Sequence, residues 1–155
     1  TIVDGWLHTG DEGSIDSEGF LQITGRVKDL FKTSKGKYVA PSPIEMKLSA
    51  NKNIENVCVV GDGVPQPIAM VVLSEYAKTR SKEDVESSLT KTLEVVNPKL
   101  DHHERVKKVV ILKGEWTIEN KLLTPTMKVK RNAVEKLHKA NYTTWYEAAG
   151  KVISE

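Results

Sequence analysis

The stretch Val57-Cys58-Val59-Val60-Gly61-Asp62-Gly63-Val64-Pro65-Gln66-Pro67-Ile68-Ala69-Met70-Val71-Val72-Leu73 decides the fold. Its two apolar runs are too short for helices, rich in β-branched residues, and bounded by glycine and proline. That pattern predicts two buried strands joined by the Gly61–Pro67 loop. A third run, Val109-Val110-Ile111-Leu112, has the same character. Between the second and third, Ser81 with Asp84 opens a helix that places Val85, Leu89, Leu93 and Val96 on one face. Asn97-Pro98 ends it.

Working outward, the chain downstream of Leu112 loses its periodicity. Lys113 to Arg131 reads as a long loop with a poor strand at Trp116-Thr117-Ile118, and loops of that length are usually functional or mobile. A last helix is predicted from about Asn132 to Ala148, with Val134, Leu137, Trp145 and Ala148 turned inward. Upstream, Ser42 is a candidate helix cap, Pro43 fits the first helical position, and Glu45 could close a capping box. Ile44 and Leu48 follow at helical spacing. Asp29–Phe31 and Lys37–Ala40 could pair as a small hairpin around Gly36. Acid–glycine clusters between β-formers predict further hairpins over residues 6–24. The fold class is therefore α+β: a small three-stranded sheet covered by helices and preceded by short β-hairpins.

Charge divides the chain in two. Residues 1–25 hold five acids and no Lys or Arg, whereas residues 26–155 hold all 23 bases and 16 acids. The step marks a boundary near Gly25-Arg26, and the expected division is 1–26 and 27–155. Composition is that of a globular protein, with 39% hydrophobic and 28% charged residues. No apolar run reaches the length of a membrane span. With Cys58 as the only cysteine and four scattered histidines, a disulfide framework and a structural metal site are not expected. A reducing cytoplasm is the default compartment. The opening Thr1-Ile2-Val3-Asp4 is neither an initiator nor a signal peptide, so the sequence reads as part of a longer chain.

Three groups of residues could carry chemistry. Lys121, Lys128, Lys130 and Arg131 crowd one loop, with no acid from Lys121 until Glu135; this suits a polyanion such as a nucleotide phosphate, or a solvated surface. Lys28, Lys32, Lys35 and Lys37 are interleaved with apolar residues and glycine, which fits a phosphate grip or an exposed hairpin. Asp11 follows Gly10 and could accept hydrogen bonds from a sugar diol, or serve as an ordinary turn aspartate. Cys58 reads as core and His102-His103 as exposed turn. The cations lack the interleaved aromatics that a nucleic-acid stacking platform needs.

Together these pieces resemble the adenylate-forming acyl-CoA synthetases, the superfamily that includes adenylation domains and luciferases. Asp4-Gly5-Trp6-Leu7-His8-Thr9-Gly10-Asp11 resembles its DGWxxTGD motif. Gly19-Phe20 with Ile23-Thr24-Gly25-Arg26 matches the next strand and its GR turn. Asp29-Leu30-Phe31-Lys32, Gly36, Val39-Ala40-Pro41 and Ile44-Glu45 match the following motif, and Thr124-Pro125-Thr126-Met127-Lys128 resembles the C-terminal lysine motif. The matches run in order along essentially the whole chain. Common members place two residues between the positions of Lys32 and Gly36; here Thr33, Ser34 and Lys35 intervene. Met127-Lys128 replaces the usual glycine–lysine pair. Both departures are similar to long-chain fatty acyl-CoA synthetases.

The resemblance implies roles. Asp11 would bind the ribose hydroxyls of ATP or the acyl-adenylate, and Arg26 would contact the same region. Lys28 would lie at the hinge between a large N-terminal domain, ending with residues 1–26, and a small mobile C-terminal one. Lys128 would bridge the substrate carboxylate and the α-phosphate. Gly36 and its neighbours would line the path of the pantetheine arm of CoA. The implied cofactors are ATP with Mg2+, the ion held mainly outside this chain, and CoA. The implied partners are the N-terminal domain of the same chain and a fatty acid, with no nucleic acid; peripheral membrane contact of a cytoplasmic full-length enzyme stays open. By this reading the 155 residues alone have no ligase activity. The alternatives are a ligase for another acid, or a basic nucleic-acid-binding or interaction module. Neither acid chain length nor oligomeric state is legible.

Overall fold

A computed structural model describes residues 1–155. Two hairpins open the chain: β1 (Ile2–Val3) with β2 (Trp6–Leu7), and β3 (Asp11–Ile15) with β4 (Leu21–Arg26). A 3-10 turn at Val27–Asp29 leads to β5 (Phe31–Lys32) and β6 (Tyr38–Val39), the small hairpin expected around Gly36. Then follow α1 (Pro41–Leu48), β7 (Ile54–Val60), β8 (Ile68–Leu73), α2 (Glu75–Lys78), α3 (Lys82–Val96) and β9 (Lys108–Ile111). Finally come α4 (Arg131–His138), α5 (Tyr142–Glu147) and β10 (Val152–Ser154).

The main sheet has the order β10-β9-β8-β7. β7 and β8 are antiparallel, the expected hairpin around Gly61–Pro67; β9 runs parallel to β8, and β10 parallel to β9. A parallel neighbour needs a crossover. α3 supplies the first on one face of the sheet; α4 and α5 supply the second on the other. Side-chain alternation along the strands therefore feeds two cores. Val59, Val71, Val109 and Ile111 meet Ile44, Leu48, Leu89 and Leu93 on the first face. Cys58, Met70, Val72 and Val110 meet Trp116, Leu123, Val134 and Trp145 on the second. A sheet covered on both faces explains why its strands read as unbroken apolar runs.

The α+β class and all three expected strands are present; β10 adds a fourth strand at the edge. Ser81 caps α3 as expected, accepting from the Asp84 N–H at 3.1 Å, and Val85, Leu89, Leu93 and Val96 are buried. Three local expectations fail. α1 starts at Pro41 after Ala40, without a side-chain cap, because Pro41 already supplies the fixed φ that suits a first helical position; Glu45 turns away to other partners. The last helix is broken by a 3-10 turn at Lys139–Asn141. The inward face also differs from expectation: His138 and Tyr142 are buried with Val134 and Trp145, whereas Leu137 is exposed and Ala148 only half-buried. No strand forms at Trp116–Ile118. No helix is long and apolar enough to cross a membrane.

Candidate functional site

Asp11 and Arg26 are directly opposite each other in the β3–β4 ladder. Their side chains meet with Arg26 Nε 3.3 Å from Asp11 Oδ1. Arg26 stays 67% exposed and Asp11 30% exposed, so each keeps hydrogen-bonding capacity facing outward. Both line an open cleft of about 430 Å3 between β4 and α1, together with Gly25, Ser42, Met46 and Lys47. Neither Lys28, Gly36 nor Lys128 lines it. Lys28 is exposed on the 3-10 turn that follows β4, a short link between the β3–β4 hairpin and the packed body.

Gly36 sits at the tip of the β5–β6 hairpin with φ +77°, the left-handed region that favours glycine. The base of that hairpin is fixed. Phe31 and Val39 enter the first core, and the Thr33 side chain and N–H both bond the Lys37 carbonyl. Ser34 N–H reaches the Val64 carbonyl at 3.0 Å. Gly36 is thus a bendable tip on an anchored stem.

Lys128 occupies a second such tip. Leu123 and Val129 form an isolated antiparallel bridge. Thr124 closes the turn: its N–H donates to the Lys128 carbonyl at 2.8 Å, its hydroxyl accepts from the Lys128 N–H at 3.0 Å, and its carbonyl accepts from Met127 at 2.8 Å. Met127 has φ 60°, a conformation that suits glycine. This accounts for the glycine that the common lysine motif places there. Lys128 is exposed and makes no ion pair. Below the turn, Asn120 Oδ1 accepts from the Thr117 and Leu122 N–H groups, and Leu123 is fully buried.

Arg131 corrects the expectation of a uniformly basic loop. Its guanidinium turns inward, pairs with Glu45 and donates to the Val59 carbonyl at 2.7 Å and to Cys58 Sγ at 3.4 Å. Glu45 also accepts from the Val59 N–H at 2.8 Å. The side chains are only 13% and 19% exposed. Sequence reasoning missed this pairing because 86 residues separate the partners. Glu45 was marked in the sequence as a cap candidate and in the Ile44-Glu45 match, but nothing local pointed to Arg131 as its partner. Burial pushes the Cys58 thiol up to about 12 against the pull of Arg131, so Cys58 is inert core.

Residues 28–150 match the model of the AMP-binding enzyme C-terminal domain. The chain belongs to that family. It is 36% identical over 150 residues to the long-chain-fatty-acid–CoA ligase FadD15 of Mycobacterium tuberculosis, covering 86% of this chain and 25% of that protein. It is 31% identical over 163 residues to the mouse long-chain-fatty-acid–CoA ligase 5, covering 94% and 24%. The chain therefore spans about a quarter of the length of these relatives. Among solved structures, the adenylation domain of a carboxylate reductase from Mycobacterium chelonae superimposes with a TM-score of 0.79 at 22% identity, over 94% of this chain and 24% of that one. The A-PCP didomain of the carboxylic acid reductase from Segniliparus rugosus, in complex with AMP, gives 0.76 at 26%, over 93% and 21%. This AMP-binding C-terminal domain resembles those of adenylate-forming acyl-CoA ligases.

Proposed function

We propose that the chain is the mobile C-terminal part of a long-chain fatty-acid–CoA ligase, with residues 1–26 closing the large adenylate-binding domain and 27–155 forming the small one. In the first half-reaction a carboxylate oxygen attacks the α-phosphorus of ATP, and pyrophosphate leaves. Two anions must approach, so a cation placed between them stabilises charge that grows in the transition state. Lys128 is that cation. Its setting carries the reading: an unpaired ammonium on a short turn, built on a buried stem, can reach outside its own domain. Asp11 accepts from the ribose hydroxyls and Arg26 adds charge beside them.

In the second half-reaction the CoA sulfur attacks the acyl carbon, and AMP leaves. The thiol needs the space that Lys128 held, so one domain presents two tips in turn. Lys28, on the exposed turn between the hairpin and the body, is the pivot, and Gly36 lets backbone pass close to the pantetheine arm. No group of three His, Cys, Asp or Glu side chains converges to hold a metal. The Mg2+ that accompanies ATP is expected to be held mainly by the large domain. The identity with fatty-acid ligases and the Met127-Lys128 variant support a fatty-acid substrate. The 155 residues alone lack a large-domain acid pocket, and no acyl-CoA production is expected from them.

The test is Lys128→Ala in the full-length enzyme. Adenylation, followed by pyrophosphate exchange, is expected to fall about 100-fold or more. Thioester formation from supplied acyl-adenylate should stay within about threefold. Normal pyrophosphate exchange by a folded variant overturns the assignment.

A further inference from the structure

β7 is an edge strand of the main sheet, and an edge leaves backbone N–H and C=O groups without a neighbouring strand. At Val59 both are taken by side chains. Glu45, from α1, accepts from the Val59 N–H at 2.8 Å; Arg131 donates to the Val59 carbonyl at 2.7 Å; and the two side chains pair with each other. One carboxylate and one guanidinium thus stand in for the missing strand. Arg131 is the first residue of α4, and Lys130 before it gives no side-chain cap. The start of α4 is held to the sheet through this guanidinium. Lys128 lies three residues upstream.

We propose that Glu45 and Arg131 are positioning residues, a clamp that fixes the downstream end of the Lys128 turn and so sets where its ammonium reaches. The inference rests on the adenylation role of Lys128 given above. The upstream end is already fixed by buried Leu123 and by the Lys130 N–H, which reaches the Leu122 carbonyl at 2.8 Å. With both ends fixed, the tip has one placement. A one-ångström error there is enough to slow a reaction that depends on charge placement.

Arg131→Lys in the full-length enzyme isolates the effect. Lysine keeps the charge but lacks the planar fork that reaches Glu45 and the Val59 carbonyl together. The Glu45–Val59 bond stays, so α1 and the Gly36 hairpin before it stay in place. The adenylation kcat is expected to fall about 10-fold, with the KM values for ATP and acid unchanged within about twofold. Thioester formation from supplied acyl-adenylate should stay within about twofold, because that step uses the other tip. Amide exchange at Thr124, Lys128 and Lys130 should quicken while β8 amides keep their protection. A merely structural loss would lower both half-reactions together. Should Arg131→Lys fold poorly, Glu45→Gln/Arg131→Met removes both charges from the site without leaving either unpaired, and the Glu45→Gln amide oxygen can still accept from the Val59 N–H; it should fold and show the same selective loss. Wild-type adenylation by either folded variant overturns the clamp, as does an equal loss in both half-reactions. Lys128→Ala, run beside them, separates this from failure of the adenylation reading: intact adenylation there discards the role of Lys128 itself.

Discussion

The β3–β4 hairpin carries five cross-strand pairs, yet no residue from 1 to 26 is buried. The loop over residues 113–130 has one isolated bridge, yet it sends Trp116 and Leu123 into the second core. Each region presents a charged group proposed to act on the same adenylate. One is regular and unanchored; the other is irregular and anchored. A ladder of hydrogen bonds does not by itself fix a segment, since a two-stranded ribbon whose apolar face has nothing packed on it is marginal in water. Trp6, Ile15, Phe20, Leu21 and Ile23 are all more than half exposed. Of these, Ile15, Leu21 and Ile23 share one face of the β3–β4 ribbon, the pattern of strands meant for a covered surface, which agrees with the proposed place of residues 1–26 in a larger domain.

The widest gap between the two regions should appear when each loses one large apolar side chain. Leu123→Ala opens a cavity beneath the lysine turn and should cost about 3 kcal/mol. Phe20→Ala removes a side chain that is 67% exposed and should change stability by less than about 0.5 kcal/mol in this chain. Urea midpoints of the two variants decide the matter. Equal losses would mean that the hairpin is as well anchored as the loop.

A smaller effect sharpens the account of the anchored side. Met127 has a left-handed backbone at φ 60° and is 60% exposed, so its side chain buries little while its backbone is strained. Met127→Gly should relieve about 1–2 kcal/mol of strain and give back part of it through the greater freedom of the unfolded chain. A net gain of about 0.5 kcal/mol in the thermal or urea transition is expected. A loss of stability would show that methionine packing, not backbone strain, governs the turn.

The same contrast explains which features were legible in the sequence. The strands at Val57–Val60, Ile68–Leu73 and Val109–Leu112, and the Ser81-capped helix, depend on local pattern and chemistry, and local residues revealed them. Val152–Ser154 is three residues long, too short for any period, and becomes a strand only because β9 offers it an edge. Leu137 was expected inward at three residues from Val134; His138, at four, takes the inward place instead, and both spacings fit one helical face, so periodicity alone does not choose between them. Ser42 lies inside α1 rather than capping it, because Pro41, not Pro43, takes the first helical position. Asp11 and Lys128 stood out because motif spacing marks them. The Glu45–Arg131 pair did not, because its logic lies in the free edge of β7, and an edge exists only once the sheet is assembled.

The smallest structural effect falls on the unanchored side. Asp11 and Arg26 form a solvent-exposed cross-strand ion pair, and such pairs contribute little, with salt screening reducing that further. Asp11→Ala should therefore shift the stability of this chain by no more than about 0.5 kcal/mol. In the full-length enzyme the same substitution should raise the KM for ATP about 10-fold or more, the scale of a lost hydrogen bond to a charged group. The kcat should change far less, since ribose contacts are the same in ground and transition states. A binding effect without a folding effect separates a nucleotide contact from a turn-forming aspartate. In the turn alternative the order reverses: the hairpin loosens, measured by exchange of the β3 and β4 amides, and KM follows only to the extent that the fold does.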